Sequence, residues 1–214
     1  RELRPGQLFV PLVADRDGHD FIAAAVAAGA PAYLTSRTAL GQLSAAAIEV
    51  PDTAAALMAL ATWARGRLDG VPVVGVTGSV GKTSTKDLIA AALGATRRTT
   101  ANTRSFNNEQ GLPVTILGAA DDSEALVVEM GMRGFGEIAR LCAVARPTIG
   151  VVTAVAGAHT ERVGGIDGVA SAKRELVEAL PPTGTAVLNA DDPRVAAMRA
   201  HTAASVVTYG AVGD

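Results

Sequence analysis

Residues 71–93, VPVVGVTGSVGKTSTKDLIAAAL, limit what this chain can fold into more than any other stretch. A β-branched apolar run leads into a glycine turn, a lysine and a segment of helical composition. Such a turn aims several backbone N–H groups at one point, and the helix N-terminus after it adds partial positive charge there. Gly78 and Gly81 permit a ligand to approach the backbone where a Cβ would block it. Lys82 reaches phosphate oxygens as a point charge, and Thr83 supplies the hydroxyl that phosphate loops turn toward Mg²⁺. The strict pattern asks for glycine six residues before the lysine, where this chain has Val76. The match is therefore to a variant, T-G-x-x-G-K-T. Strand and helix flank it as the mechanism requires, which favours a phosphate loop over a chance glycine turn. The expected contacts to ATP or GTP are Thr77, Gly78, Ser79, Val80, Gly81, Lys82, Thr83 and Ser84.

The same rhythm continues downstream. Strand-like VPVVGVTG, ALVVEMG, TIGVVTAV, TAVLNA and SVVTYG alternate with helix-compatible KTSTKDLIAAAL, GFGEIARLCAVA, GVASAKRELVEAL and DPRVAAMRA. Apolar runs without alternation indicate strands covered on both faces. The pattern predicts an α/β fold with a mainly parallel, doubly wound sheet over residues 70–214. Upstream, QLFVPLV (7–13), PAYLTS and AAIEV read as short strands, and DFIAAAVAAGA (20–30) as a helix stopped by Gly29. DTAAALMALATWARGRL (52–68) reads as a helix capped by Asp52, with Leu57, Leu60 and Trp63 on its buried face. DGVP (69–72) breaks the pattern and separates a small α/β domain, 1–69, from the P-loop domain, 70–214.

Composition narrows the function. The formal net charge is −2 and charged residues make up 19%, which offers no basic surface to nucleic acid or to an anionic membrane. Aromatic residues are 3%, too few for base-stacking platforms. No apolar run approaches the roughly 20 residues that span a bilayer. A single cysteine, Cys142, excludes a disulfide framework, fits a reducing cytoplasm and reads as a small buried hydrophobe. Residue 1 is arginine, so a lost leader stays open.

Other candidates sit where strands end. Glu129 closes ALVVE, and ligands of open parallel sheets gather at such carboxyl ends. It reads either as a Mg²⁺ ligand or as a solvated loop carboxylate. His159, after TIGVVTAV, reads as a ligand or a surface group. Lys173, in ASAKRELV, reads by itself as a solvated helix lysine, although its i−3 and i+4 neighbours are apolar. Asn107 and Asn108, in a loop between strands, either form turns or face the site. Asp192, before Pro193, fits a helix N-cap as well as a ligand role, and Asn189 and Asp191 end the same strand.

TGSVGKTST also resembles the ATP loop of the Mur ligases, which build the peptide of the bacterial cell-wall precursor and share a fold with folylpolyglutamate synthases. SFNNEQGLPVTIL (105–117), VVEMGMRGFGEIARLC (127–142), ARPTIGVVT (145–153), GAHTERVGGIDGVASAKRELV (157–177) and VLNADDPRV (187–195) follow in the family's order. Residues 5–34 resemble the N-terminal domain of the branch that joins D-alanyl-D-alanine to UDP-N-acetylmuramoyl-tripeptide. DGHDF, EMGMRGFGEIARL and AHTE point to the same branch.

The resemblance implies that 1–69 binds the UDP-sugar end of the substrate and that 70–214 binds ATP with two Mg²⁺ ions. It implies catalytic roles for Lys82, His159 and Lys173, and metal contacts for Thr83, Glu129, His159 and Lys173, with the pair Asn107 and Asn108 beside the metal and phosphates and Asn108 the closer match. The lysine that matches Lys173 is carbamylated by CO₂ in the relatives, which turns a cation into an anion able to hold the second Mg²⁺. The implied partners are UDP-N-acetylmuramoyl-peptide and D-alanyl-D-alanine, with no nucleic acid and no membrane insertion, in a cytoplasmic monomer. Two departures stand out. Ala154 and Ala156 occupy positions before AH where relatives often have Asn and Gly, which leaves the loop around His159 open. The sequence also stops at Asp214, before the family's adenine-contacting segment and C-terminal domain, so an inactive fragment is expected. A sibling ligase with another amino donor, or a nucleotide-binding module without ligase activity, are the alternatives.

Overall fold

The computed structural model describes residues 3–38, 41, 43–103, 106–157 and 163–211. Contacts divide the chain into two units, Arg1–Leu60 and Ala61–Asp214. The division falls inside helix α2 (Thr53–Arg67), a few residues before the DGVP break.

In the first unit a 3-10 turn, Gly18–Phe21, runs into helix α1 (Ile22–Ala27). Gly29 ends it at φ +97°. Strands β1 (Ala32–Thr35) and β2 (Ala46–Glu49) pair in parallel. The strand expected over 7–13 does not form. Phe9 bridges to Tyr33 and Val13 to Asp17 as isolated pairs, and Pro11 between them has no N–H to give a ladder. DGHDF does structural work instead. His19 is buried, with Nδ1 2.6 Å from Asp17 Oδ1, and its Nε2 accepts from the Ser36 N–H at 3.0 Å. With Nε2 accepting, the ring proton sits on Nδ1 and faces Asp17. The histidine thereby ties the turn to the end of β1.

Helix α2 is capped as its sequence suggests. Asp52 Oδ1 accepts from the N–H groups of Ala54 and Ala55 at 2.7 and 3.0 Å. Thr53, Leu57, Ala61 and Arg65 form its buried row at i+4 spacing. Trp63 departs from expectation: it is 64% exposed, with the Arg67 guanidinium 5.4 Å from its ring centroid. Six residues separate it from Leu57, roughly 120° around the helix, which takes it off the buried stripe.

The second unit is built on a six-stranded sheet. Its strands are β3 (Val73–Thr77), β4 (Thr99–Ala101), β5 (Ala125–Glu129), β6 (Ile149–Val152), β7 (Thr185–Asn189) and β8 (Ser205–Tyr209). They lie in the order β4-β5-β3-β6-β7-β8, and every neighbouring pair is parallel. Helices α3 (Lys82–Gly94), α4 (Gly111–Leu117), α5 (Glu137–Ala145), α6 (Ile166–Glu178) and α7 (Pro193–Ala197) connect them. All of β3 and β5 is buried, whereas β8, at the edge, is mostly exposed. Burial on both faces therefore holds for the centre and not for the rim. Val74, Val76, Val127 and Val151 form one core cluster between these strands. The chain passes from β5 across β3 to β6, so the strand order reverses beside β3. A crevice at the carboxyl ends is the physical consequence.

Candidate active site

The turn after β3 is held from several sides. The Thr77 hydroxyl donates to the Met130 carbonyl at 2.8 Å. Gly78 has φ +149°, and a Cβ there would lie 1.9 Å from Thr153 Oγ1. Only glycine combines that backbone with that approach. Ser79 N–H donates to Ala154 O at 2.7 Å, and Ser79 Oγ bonds both the N–H and the carbonyl of Ala156, at 2.9 and 3.0 Å. Thr153 Oγ1 lies 2.6 Å from Val80 O. The hydrogen bonds that the turn makes to Ala154 and Ala156 use their backbone atoms, which an alanine supplies as well as any residue. Asp192 secures it from behind. Its Oδ1 accepts from Arg194 N and Val195 N, capping α7, while Oδ2 accepts from Val155 N at 2.7 Å. The cap was legible in the sequence; the contact to Val155 was not.

Helix α3 begins at Lys82 with no side-chain cap and no acidic residue in its first turn. Its leading N–H groups lack intrahelical acceptors, an arrangement that favours negative charge at this end. Lys82 Nζ folds over the turn and donates to Gly78 O at 2.8 Å and Ser79 O at 3.3 Å. Val80 and Ser84 are exposed beside it.

Glu129, 1% exposed at the end of β5, has both carboxylate oxygens engaged. Thr83 Oγ1 donates to Oε2 at 2.7 Å and Asn107 Nδ2 to Oε1 at 2.6 Å. Asn102 Oδ1 accepts from the Glu129 N–H at 2.9 Å. A hydroxyl that gives its hydrogen to Glu129 keeps lone pairs for a cation, so Thr83 and Glu129 offer the hard oxygen donors that Mg²⁺ takes. Among the described residues no group of three or more His, Cys, Asp or Glu side chains could hold a metal. A cation here would draw further ligands from phosphate or water.

Lys173 is 4% exposed on α6. Val169, Ala172, Lys173, Leu176 and Val177 are the buried residues of that helix, at i, i+3, i+4, i+7 and i+8. The reading of Lys173 as a solvated lysine is thus replaced by a core position. Burial, helped by the nearby Lys82 charge, pulls its pKa down to about 8. As an ammonium it suits an anion and repels a metal. Lys82, Lys173, Asn107, Asn108 and Arg133 line one polar cavity of about 420 Å³. Asn108 Oδ1 is turned to the Gln110 and Gly111 N–H groups at the start of α4, so the loop carrying the Asn pair leads into a helix rather than a strand. His159 lies outside the described residues. Cys142 is buried beside Met130, with its thiol pushed up to about 12 by desolvation.

Sequence reasoning missed Asn102 and Thr153, which carry no periodic signal; it named Asn107 together with Asn108 but did not foresee the bond from Asn107 to Glu129. Glu175 was also unforeseen: from α6 it accepts from Gly136 N and Ala139 N at the start of α5.

Residues 76–214 match the Mur ligase middle domain family. The chain belongs to that family. Among the curated Mur ligases, the UDP-N-acetylmuramoyl-tripeptide–D-alanyl-D-alanine ligase of Mycobacterium tuberculosis is 43% identical over 231 aligned positions, covering 97% of this chain and 44% of that protein. A crystal structure of MurF from Acinetobacter baumannii superposes with a TM-score of 0.90 at 28% identity, over 99% of this chain and 47% of that one. The MurF ligase of Thermotoga maritima, solved in complex with ADP, gives 0.87 at 33% identity, over 99% and 49%. The chain spans less than half the length of these Mur ligases. No described helix is long and apolar enough to cross a membrane.

Proposed function

We propose that this chain is the nucleotide-binding and UDP-sugar-binding part of an ATP-dependent ligase that joins D-alanyl-D-alanine to UDP-N-acetylmuramoyl-tripeptide. The convergence of Lys82, the Thr83–Glu129 pair and buried Lys173 on the carboxyl ends of β3 and β5 carries this reading. The names of the similar Mur ligases supply its substrate class. Residues 1–69 take the UDP-sugar end and 70–214 take ATP, in a cytoplasmic monomer.

The reaction sets an electrostatic problem, because an anionic carboxylate must approach an anionic phosphate. The α3 N-terminus and the turn Thr77–Ser84 hold the phosphates, with Asn108 beside them, and Lys82 neutralises charge on the transferring group. Thr83 and Glu129 would hold a Mg²⁺ ion, which supplies further neutralisation. A terminal carboxylate oxygen of the tripeptide attacks the γ-phosphorus and the bond to ADP breaks. The D-alanyl-D-alanine amine then attacks the acyl carbon, sheds its proton and displaces phosphate as the amide forms. Lys173 reacts as a neutral amine with CO₂, forming an N–C bond and releasing a proton. Its carbamate, with His159, would hold a second ion. The drop from 10.5 to about 8 raises its neutral fraction near pH 7 on the order of a hundred-fold.

The test is ADP release by the full-length protein with UDP-N-acetylmuramoyl-tripeptide, with and without D-alanyl-D-alanine. Turnover that requires both supports the reading. Equal turnover with diaminopimelate or lysine as amine donor, or nucleotide binding without carboxylate-dependent phosphate transfer, overturns it.

A further inference from the structure

We propose that Lys86 is a positioning residue for Glu129, acting through Asn102. The proposal deepens the reading above and rests on Glu129 as a Mg²⁺ ligand.

Lys86 is one of the largest fully buried side chains, 2% exposed on α3. A buried ammonium is costly unless its protons are satisfied. Lys86 Nζ donates to the Asn102 carbonyl at 2.7 Å and pairs with Asp87 Oδ1 at 2.8 Å. Asn102 is itself buried, directly after the edge strand β4. Its side chain is used twice, with Oδ1 accepting from Glu129 N at 2.9 Å and Nδ2 donating to Phe106 O at 3.0 Å. Phe106 precedes Asn107, whose amide holds Glu129 Oε1 and whose carbonyl accepts from Gly131 N at 2.7 Å. Thr83 and Lys86 are three residues apart on α3 and so share a face. One end of that face grips the Glu129 carboxylate directly, and the other fixes its backbone and its amide partner through Asn102.

The alternative is that Lys86 only packs α3 against β4. The two roles differ in what they do to metal dependence. A residue that orients a ligand shifts metal affinity by about 10- to 100-fold, whereas a packing residue lowers stability alone. In the full-length protein, Lys86→Met is expected to raise the half-saturating Mg²⁺ concentration for ADP release about 10-fold. Calorimetric titration of ADP supplies a readout apart from activity. Affinity in EDTA should match wild type, while the gain on adding Mg²⁺ should shrink. Asn102→Ala should do the same, and the double variant should be no worse than Asn102→Ala alone, because both act on one path. Should Lys86→Met fail to fold, Asp87→Ala, which loosens the ammonium from the surface side, should give a smaller shift in the same direction.

An unchanged Mg²⁺ requirement in Lys86→Met, or in Asp87→Ala where that variant stands in for it, overturns the proposal. So do independent, multiplying effects of Lys86→Met and Asn102→Ala. Thr83→Ala and Glu129→Gln separate the two levels. If neither shifts the Mg²⁺ requirement, the metal reading falls and this proposal with it. If both shift it and Lys86→Met does not, only the role of Lys86 is wrong.

Discussion

Thr83 Oγ1 donates to Glu129 Oε2 at 2.7 Å across 46 positions of sequence. The contact exists because β3 and β5 pair in parallel with Val76 opposite Glu129, so the turn after one strand meets the last residue of the other.

Glu129→Gln keeps the size of this side chain and removes its charge. In the full-length protein, ADP release should fall by on the order of 100-fold, with a higher Mg²⁺ requirement. Unfolding free energy should drop by only about 1–3 kcal/mol, the cost of a mismatched buried hydrogen bond. Wild-type turnover across a Mg²⁺ titration would refute the metal assignment.

On the proposed function, Lys82→Ala should reduce kcat by on the order of 100-fold or more, since it removes the charge that reading assigns to the transferring phosphate. The folded state should be little affected, because Lys82 bonds only carbonyls of its own turn among the described contacts. Near-normal turnover would remove the phosphate-loop reading.

Gly78→Ala should cost about 2 kcal/mol in denaturant unfolding and weaken ADP binding. The added Cβ meets Thr153 Oγ1 at 1.9 Å and φ is +149°. Thr153→Ala in the same chain should recover part of the loss and not all of it, because the backbone strain remains. Full recovery would mean that the clash alone matters.

Two buried groups give opposite pH windows. Between about 8 and 10.5 the unfolded chain holds a proton on Lys173 that the folded chain has released. Stability therefore rises with pH through that window. The penalty, about 3 kcal/mol, is fully present below it. Lys173→Met should lack the rise in CO₂-free buffer. Cys142 works the other way: its thiol goes from 9.0 to about 12, so stability falls above about pH 9, and Cys142→Ala should remove the fall. Denaturant midpoints across this range check both signs.

Lys173→Ala should be nearly inactive and partly restored by a small carboxylic acid, which would stand in for the carbamate. Lys173→Arg keeps the charge and cannot be carbamylated, so it should be as inactive as the alanine variant. A fully active arginine variant would show that positive charge is what the position supplies.

The central sheet was readable because its strands announce themselves locally. VVGVT and the ALVV of ALVVE are runs without polar alternation, which is the pattern of a strand buried on both faces. The elements that escaped are short or interrupted. Strand β4 has three residues and α4 seven, too few for any period to emerge. QLFVPLV has the composition of a strand, but Pro11 removes a donor the ladder would need. Trp63 failed for an angular reason, since a bulky residue need not lie on the buried stripe.

What the sequence determined by itself is therefore the glycine turn between strand and helix, the α/β class and the cap at Asp192, each fixed by neighbours within a few positions. Tertiary structure decided the rest. ASAKRELV cannot reveal which side of its helix meets the sheet, and only packing makes Lys173 a buried, easily deprotonated amine. Asn102, Asn107, Thr153 and Lys86 acquire their partners from strands and loops distant in sequence. A hydrogen bond between remote residues depends on strand order and register, and those are set by the burial of the whole sheet rather than by any local stretch of chain.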